Sequence, residues 1–296
     1  MLLEGRIAIV TGAGGGLGRE HAIYLARQGA KVVVNDLAIE AAQSVVDEIA
    51  AAGGDALAIG GSVTDEQAMA DLVASVMDAW GRIDILVNNA GILRDKSFAK
   101  MTMADFRTVV DVHLIGAAIC CKAVWDIMRA QNSGRIVLTT SSSGLYGNFG
   151  QANYGAAKMA LVGLMQTLAI EGEKYGIRVN CLAPTAATQM TRGVLSDESL
   201  AALDPALVSP GLLALVGESA PTRAILCAGA GHFATAHVTL TNGVYLGGGD
   251  AGPALIANWG EASDRSIEIV PAYGFVQAER EVSSATLNQK RACAAG

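Results

Sequence analysis

Short apolar runs alternate with longer segments of helical periodicity along most of the chain. The runs are rich in valine and isoleucine, and they predict buried strands at 6–11, 31–36, 56–60, 84–88, 135–140 and 177–182. Helices are predicted between them, at about 16–28, through VVDEIAA, over 103–131 and over about 152–174. Continuous apolar strands separated by helices indicate an α/β fold, a doubly wound and mostly parallel sheet covered on both faces.

The composition changes after about residue 228, where a glycine-rich stretch with few helix signals begins. The 296 residues suffice for one large α/β domain. We therefore predict a single domain, with a core over about 5–230 and a glycine-rich C-terminal extension over about 231–296.

Charge and hydropathy narrow the function classes. The net charge of −7 and the absence of a basic stripe argue against a nucleic-acid partner. The mean hydropathy of +0.37 is high, yet no uninterrupted apolar run approaches the ~20 residues of a spanning helix, so we expect no membrane insertion. Glu4 and the lack of a basic n-region argue against a signal peptide.

The five cysteines are odd in number and include no C-x-x-C pair. This pattern indicates reduced thiols, so we predict a cytoplasmic location. The spacing of His232 and His237 is poor for joint ligation on a helix, so no metal site is predicted.

A glycine-rich turn, TGAGGGLG at 11–18, lies between the first predicted strand and helix. It fits the spacing T-G-x-x-x-G-x-G through Gly12, Gly16 and Gly18, while Leu17 stands where the third glycine of G-x-G-x-x-G would fall. Glycines at such positions let the backbone approach a pyrophosphate at a helix N-terminus. The turn therefore predicts a dinucleotide-binding sheet of the Rossmann type.

Asp36 ends the second predicted strand. A carboxylate there binds the adenosine ribose hydroxyls and repels a 2′-phosphate. Leu37 follows it, and no lysine or arginine interrupts the turn, so NAD is the predicted cofactor. The alternative is that Asp36 is an ordinary aspartate of a surface turn.

Tyr154 precedes Lys158 by four residues, and only small residues separate them. On a helix the two share a face, with Cβ atoms roughly 5–6 Å apart. A lysine charge ~6 Å away, at an effective dielectric of about 20, favours the phenolate by roughly 2.8 kcal/mol. This lowers the tyrosine pKa by about two units and predicts a general acid/base. The alternative is a Tyr–Lys pair on a solvated helix face.

TGAGGGLG, the NNAG at 88–91, and Ser141 thirteen residues before Tyr154 resemble the short-chain dehydrogenase/reductase family over about residues 5–230. Within that family, VVVNDL, NNAGILRDKSF, SGLYGNFGQANY and IANW are similar to the (3R)-hydroxyacyl-CoA dehydrogenase unit of the peroxisomal multifunctional enzymes, also called a 17β-hydroxysteroid dehydrogenase.

The resemblance implies roles for individual residues. Tyr154 would take the hydroxyl proton, Lys158 would lower its pKa and hold the nicotinamide ribose, and Ser141 would orient the substrate oxygen. His113 stands where the family usually has an asparagine, and it is either a further catalytic residue or a packed one.

The implied cofactor-binding residues are Gly12, Gly16, Leu17, Gly18, Asp36, Ser62, Val63, Asn89, Gly91, Tyr154, Lys158, Ala187 and Thr188. Asn89 and Gly91 would line the adenosine ribose, and Ser62 and Val63 would flank the adenine. Two departures from the family pattern affect this set: Thr185 follows Pro184 where a glycine is usual, and Gly61 replaces an adenine-facing aspartate of similar proteins.

The expected function is NAD-dependent interconversion of a secondary alcohol and a ketone in lipid metabolism. The expected substrate is a 3-hydroxyacyl-CoA, possibly with a steroid-bearing acyl part. The alternatives are a hydroxysteroid dehydrogenase acting on free steroids and, more remotely, a non-catalytic NAD-binding regulatory protein. The intact set of Ser141, Tyr154 and Lys158 argues against the last.

The segment 186–220 follows the sixth predicted strand and is expected to cover the substrate. Basic residues that could meet CoA phosphates are Arg94, Lys96, Lys100 and Arg192. The resemblance implies a homodimer or homotetramer built through 103–131 and 152–174. The chain ends in AAG and not SKL, so no peroxisomal address is expected.

Overall fold

The computed structural model describes residues 1–187 and 196–295. It divides into two compact units, Met1–Ala236 and His237–Gly296. The strands of the first unit are β1 (Ile7–Thr11), β2 (Lys31–Asp36), β3 (Ala56–Gly60), β4 (Ile85–Asn88), β5 (Gly134–Thr139), β6 (Ile177–Pro184), β7 (Ile225–Gly229) and β8 (His232–Ala236).

These strands form one sheet in the order β3-β2-β1-β4-β5-β6-β7-β8. Neighbouring strands are parallel except β7 and β8, which are antiparallel. The chain starts at β1 and winds outwards first to β3 and then to β8, so the strand order reverses between β1 and β4. Sheets of this kind bind ligands at the carboxyl ends of the strands beside that reversal. The predicted doubly wound, mostly parallel sheet is confirmed.

Helices cover both faces of the sheet. They are α1 (Gly16–Arg27), α2 (Ile39–Ala51), α3 (Glu66–Trp80), α4 (Met103–Val110), α5 (Gly116–Gln131), α6 (Ser142–Tyr146), α7 (Ala152–Gly172), α8 (Asp197–Ala202) and α9 (Ser209–Val216). One core cluster joins β2 residues Val32 and Val34 to α1, α2 and α9, and the other joins Val33 to α3, α5 and α7. Because both faces of β2 are buried, its sequence shows no polar alternation.

The predicted helix over 103–131 is interrupted by one π-helical segment, Asp111–Ile115, between α4 and α5. By length and composition alone, Met103–Gln131 could cross a membrane. Its buried residues, among them Cys120, Cys121 and Met128, belong to the core against the sheet. Part of the apolar character of this stretch therefore comes from residues that pack against the sheet.

Strands β7 and β8 were not predicted. They form a hairpin whose turn residues, Ala230 and Gly231, both have positive φ (50° and 74°). A two-residue turn of this geometry usually contains Asn-Gly or Asp-Gly. Ala-Gly gives a weak signal, and the glycine-rich stretch around it reads as irregular chain.

The second unit contains two short strands, β9 (Leu240–Thr241) and β10 (Glu268–Ile269), paired antiparallel. Its helices are α10 (Gly252–Ala257), α11 (Trp259–Ala262) and α12 (Phe275–Ala295). The boundary predicted near residue 230 falls in the β7–β8 turn, whereas the division between the units follows Ala236. The description of these residues as an extension of a single domain stays a prediction.

Candidate active site

The glycine-rich turn joins β1 to α1 at the carboxyl edge of the sheet. Gly12 has a φ of 60°, in the region that favours glycine. A Cβ on Gly18 would lie 2.2 Å from the Gly12 carbonyl oxygen, so only glycine permits this approach of helix and turn. The Asn89 side-chain amide donates to the carbonyl oxygens of Thr11 and Gly12, each at 3.0 Å.

The Thr11 hydroxyl accepts hydrogen bonds from the backbone amides of Asn89 and Ala90, both at 3.1 Å. Together with the Asn89 amide, these bonds pin the end of β4 to the end of β1. Asn89 therefore braces the glycine-rich turn. The contact of Asn89 with a ribose stays a prediction.

Asp36 lies at the end of β2, beside the glycine-rich turn. One carboxylate oxygen accepts from the Gly14 backbone amide at 3.0 Å, and the other accepts from the Ala38 amide at 3.2 Å. The carboxylate is only partly buried. The glycine cradle at the start of α1 and this carboxylate have the positions that a dinucleotide pyrophosphate and ribose require, so the residues present fit such a cofactor.

Ser62 and Val63 follow β3. The Asn35 side-chain amide donates to the carbonyl oxygens of Ile59 and Gly61, at 3.1 and 3.2 Å, and so fixes the chain that leads to them. The Val63 side chain is buried in the core, close to Gly116. It also lines a small cavity together with His113 and Lys158. The predicted adenine contacts of Ser62 and Val63 stay predictions.

The structure brings Ser141, Tyr154 and Lys158 together beyond the carboxyl end of β5. Ser141 is the N-cap of α6, and its hydroxyl accepts from the Ser143 amide at 3.2 Å. Tyr154 lies in the first turn of α7, and the Ser141 hydroxyl lowers the pKa of its phenol. The Lys158 ammonium lies 5.5 Å from the centroid of the Tyr154 ring. The predicted shared face of tyrosine and lysine is therefore present.

Lys158 is buried, and its ammonium donates to the Thr139 carbonyl oxygen at 2.6 Å. Burial lowers the lysine pKa from 10.5 to about 7, because the charged form loses its hydration. The ammonium form of Lys158 is therefore less favourable in the folded protein than in water.

The predicted lowering of the Tyr154 pKa is wrong for the protein by itself. Burial raises the pKa of Tyr154, the hydrogen bond with Ser141 lowers it, and the carboxylate of Asp95 raises it further. The spacing argument assumed a fully charged lysine and a solvated phenol. Burial of both groups reverses the direction.

His113 lies in the π-helical segment and is buried. Its Nε2 lies 2.8 Å from the Ile92 carbonyl oxygen and 3.0 Å from the Ile92 nitrogen, and its ring meets the Tyr154 ring edge-on with centroids 5.2 Å apart. Burial, with the nearby charge of Lys158, lowers the pKa of His113 to about 3, so the imidazole is neutral at physiological pH. A Cβ on Gly91 would lie 2.2 Å from the imidazole, which gives Gly91 a packing role.

Ala187 follows β6, and its backbone amide donates to the Leu203 carbonyl oxygen at 2.6 Å. Thr188 and Arg192 lie outside the described residues, so the structure does not test their predicted contacts. Gly16 and Leu17 open α1 as predicted.

Sequence reasoning missed a polar group beside these residues. Asp95, Ser143 and Gln151 are joined by side-chain hydrogen bonds next to Ser141 and Tyr154. They stand within the quoted stretches NNAGILRDKSF and SGLYGNFGQANY. Both stretches follow strands of the parallel sheet and lie at the same edge of it. This shared position could have indicated that their polar residues meet.

Comparison with known proteins shows the family to which the chain belongs. The family model described as short chain dehydrogenase matches residues 6–199, and the chain belongs to that family. The chain is 50% identical over 225 residues to the peroxisomal multifunctional enzyme type 2 of Drosophila melanogaster, covering 73% of this chain and 37% of that relative. The predicted resemblance to the dehydrogenase unit of these enzymes is confirmed.

Two solved structures are similar to this chain over most of its length. The full-length Drosophila melanogaster multifunctional enzyme type 2 superposes with a TM-score of 0.81 at 38% identity, over 95% of this chain and 49% of that chain. A 7α-hydroxysteroid dehydrogenase solved with NADH and 7-oxo glycochenodeoxycholic acid gives a TM-score of 0.72 at 34% identity, over 77% and 94% of the two chains. The chain therefore spans less than half the length of the multifunctional relative.

Proposed function

We propose that the protein is an NAD-dependent dehydrogenase that interconverts the secondary alcohol of a 3-hydroxyacyl-CoA and the corresponding ketone. The observation that supports this most directly is the grouping of Ser141, Tyr154 and Lys158 at the carboxyl edge of the sheet, beside the glycine cradle and Asp36.

In alcohol oxidation, Tyr154 accepts the hydroxyl proton while Ser141 donates a hydrogen bond to the same substrate oxygen. Lys158 stands one turn along α7, where its charge stabilises the phenolate. A nicotinamide dinucleotide would be held by the glycine-rich turn and Asp36, and when bound it would supply the hydride acceptor. In ketone reduction Tyr154 returns the proton to the oxygen.

The preference for NAD rests on Asp36. Its carboxylate lies at the end of β2, where hydrogen bonds from two backbone amides fix its position. A 2′-phosphate there would meet a negative charge, and Leu37 offers no compensating cation. These observations support NAD over NADP.

The acyl-CoA substrate is supported by the multifunctional relatives, one of which is named a hydratase-dehydrogenase-epimerase. Among the basic residues that could meet CoA phosphates, Arg94 and Lys100 are exposed. Lys96 forms an ion pair with Asp105 at 3.0 Å, which makes it a weaker candidate for a phosphate contact. The second candidate function is oxidation of a free hydroxysteroid, which the similar 7α-hydroxysteroid dehydrogenase favours.

Steady-state rates with NAD, a 3-hydroxyacyl-CoA panel and free 17β-hydroxysteroids separate the two functions. We expect the thioester to exceed the free steroid at least about tenfold in kcat/KM, which corresponds to roughly 1.4 kcal/mol of transition-state binding. A free steroid with the higher kcat/KM would establish the second function. A homodimer or homotetramer, a cytoplasmic location and a role in lipid metabolism are further parts of this proposal.

A further inference from the structure

The loop that follows β4 is fastened to the start of α7. The Arg94 carbonyl oxygen accepts from the Asn153 side-chain amide at 3.2 Å, and the Lys96 amide donates to the Gly150 carbonyl oxygen at 2.9 Å. Between these two bonds, Asp95 accepts from the Gln151 side-chain amide at 2.7 Å. Three consecutive residues therefore contact the chain that leads into the helix of Tyr154.

Gln151 extends this contact to the helix of Ser141. Its side-chain oxygen accepts from the Ser143 hydroxyl at 2.8 Å and from the Asn148 amide at 3.2 Å. The Ser143 backbone amide in turn donates to the Ser141 hydroxyl. The Gln151 side chain thus connects Asp95 to α6. Gln151 itself lies three residues before Tyr154 in the chain.

We propose that Asp95 and Gln151 form a positioning pair that holds Ser141 in register with Tyr154 and brings the Asp95 carboxylate to Gln151, at the N-terminus of the Tyr154 helix. The pair touches neither reacting atom, and it acts through the two residues that do. This inference rests on the proposed acid/base role of Tyr154.

The described groups that face Tyr154 come from four elements. Lys158 on α7 and His113 on the π-helical segment contact its ring, and His113 is neutral at physiological pH. Ser141, before α6, lowers the pKa of the phenol, while Asp95, after β4, raises it. Asp95 and Ser141 therefore act on the pKa of the phenol in opposite directions.

The charge effect is tested by titrating Tyr154 directly. Tyrosinate absorbance is measured in the protein without ligands, and the Tyr154→Phe variant in the same background isolates the signal of Tyr154. In Asp95→Asn we expect the phenol to titrate at lower pH, because the charge is lost while an amide oxygen still accepts from Gln151. Asp126→Asn removes an exposed carboxylate of α5 and is the matched control, for which no change is expected.

Asp95 is exposed, so salt screens its charge. The difference between the wild type and Asp95→Asn should therefore shrink as ionic strength rises. An unchanged titration of Tyr154 in Asp95→Asn at low salt would overturn the charge effect. Because this titration requires no turnover, it tests the inference even if the proposed function fails.

The positioning effect is tested with Gln151→Leu, which removes the side-chain hydrogen bonds to Asp95, Ser143 and Asn148. We expect kcat to fall by about tenfold or more, since misplacing a reacting group by ~1 Å can cost ~10²-fold, while KM for NAD stays unchanged. Asn148→Ala loses only the 3.2 Å contact and is the control. A folded Gln151→Leu variant with kcat within about twofold of the wild type would contradict the positioning role.

Discussion

Lys158 is a buried lysine whose ammonium donates to the Thr139 carbonyl oxygen. Its pKa falls from 10.5 in the unfolded chain to about 7 in the folded protein, so the unfolded state binds more protons between these values. Stability therefore rises with pH across this window, and the cost of burying the charge is fully present below it.

Lys158→Met removes this titration. We expect the free energy of unfolding of the wild type, relative to the variant, to increase from about pH 7 to about pH 9.5. Urea unfolding at several pH values measures the difference. If that difference is independent of pH, Lys158 keeps an ordinary pKa in the folded protein and the account of its burial is wrong.

Asp36 carries the cofactor preference. Asp36→Ser removes the charge that repels a 2′-phosphate, so the ratio of kcat/KM for NAD to that for NADP should fall. Asp36→Asn keeps a side-chain oxygen for the Gly14 amide, and it separates loss of charge from loosening of the turn. An unmodified protein that prefers NADP would contradict this role of the carboxylate.

At the scale of elements, the close approach of α1 to the glycine-rich turn is tested by making the same glycine-to-alanine substitution in two helices. Helix propensity alone predicts that Gly18→Ala in α1 and Gly163→Ala in α7 each stabilise by about 1 kcal/mol. Gly163 has open space around its Cβ position, whereas a Cβ on Gly18 would lie 2.2 Å from the Gly12 carbonyl oxygen. We expect Gly163→Ala to stabilise and Gly18→Ala to destabilise by about 1–3 kcal/mol.

Urea unfolding of the two variants provides the comparison, and dinucleotide affinity provides a second measurement for Gly18→Ala, which should bind more weakly. Shifts of the same sign in both variants would show that the turn yields to the added methyl group.

The six parallel strands from β1 to β6 could be predicted because each contains a short apolar run, and all except the edge strand β3 are largely buried. The β7–β8 hairpin could not, since β8 is an exposed edge strand with little apolar signal and Ala230–Gly231 is an atypical turn. The π-helical segment around His113 leaves no mark in the apolar periodicity.

The candidate active site could also be predicted only in part from the sequence. Spacing alone placed Tyr154 and Lys158 on one helix face, because that depends only on the helical repeat. Their pKa values depend on burial by segments distant in sequence, which spacing does not report. The Asp95–Gln151 contact likewise joins residues 56 positions apart.

At the scale of the whole molecule, the acyl-CoA proposal predicts a salt dependence. CoA phosphates held by exposed cations such as Arg94 and Lys100 would be screened by salt, so KM for the thioester should rise with ionic strength. A free steroid alcohol makes no such contacts, so its KM should change little. If KM changes equally with salt for the two substrates, the exposed cations do not bind the CoA phosphates.

The central claim is that Tyr154 exchanges the proton of a 3-hydroxyacyl-CoA while NAD accepts the hydride. The most direct measurement is the initial rate of NAD reduction with this substrate by the wild type and by Tyr154→Phe, with NAD affinity measured in parallel. Because general acid–base catalysis contributes about 10²–10⁴-fold, we predict a loss of that size in kcat with NAD binding retained. A Tyr154→Phe variant that keeps more than about a tenth of the wild-type kcat would contradict the claim.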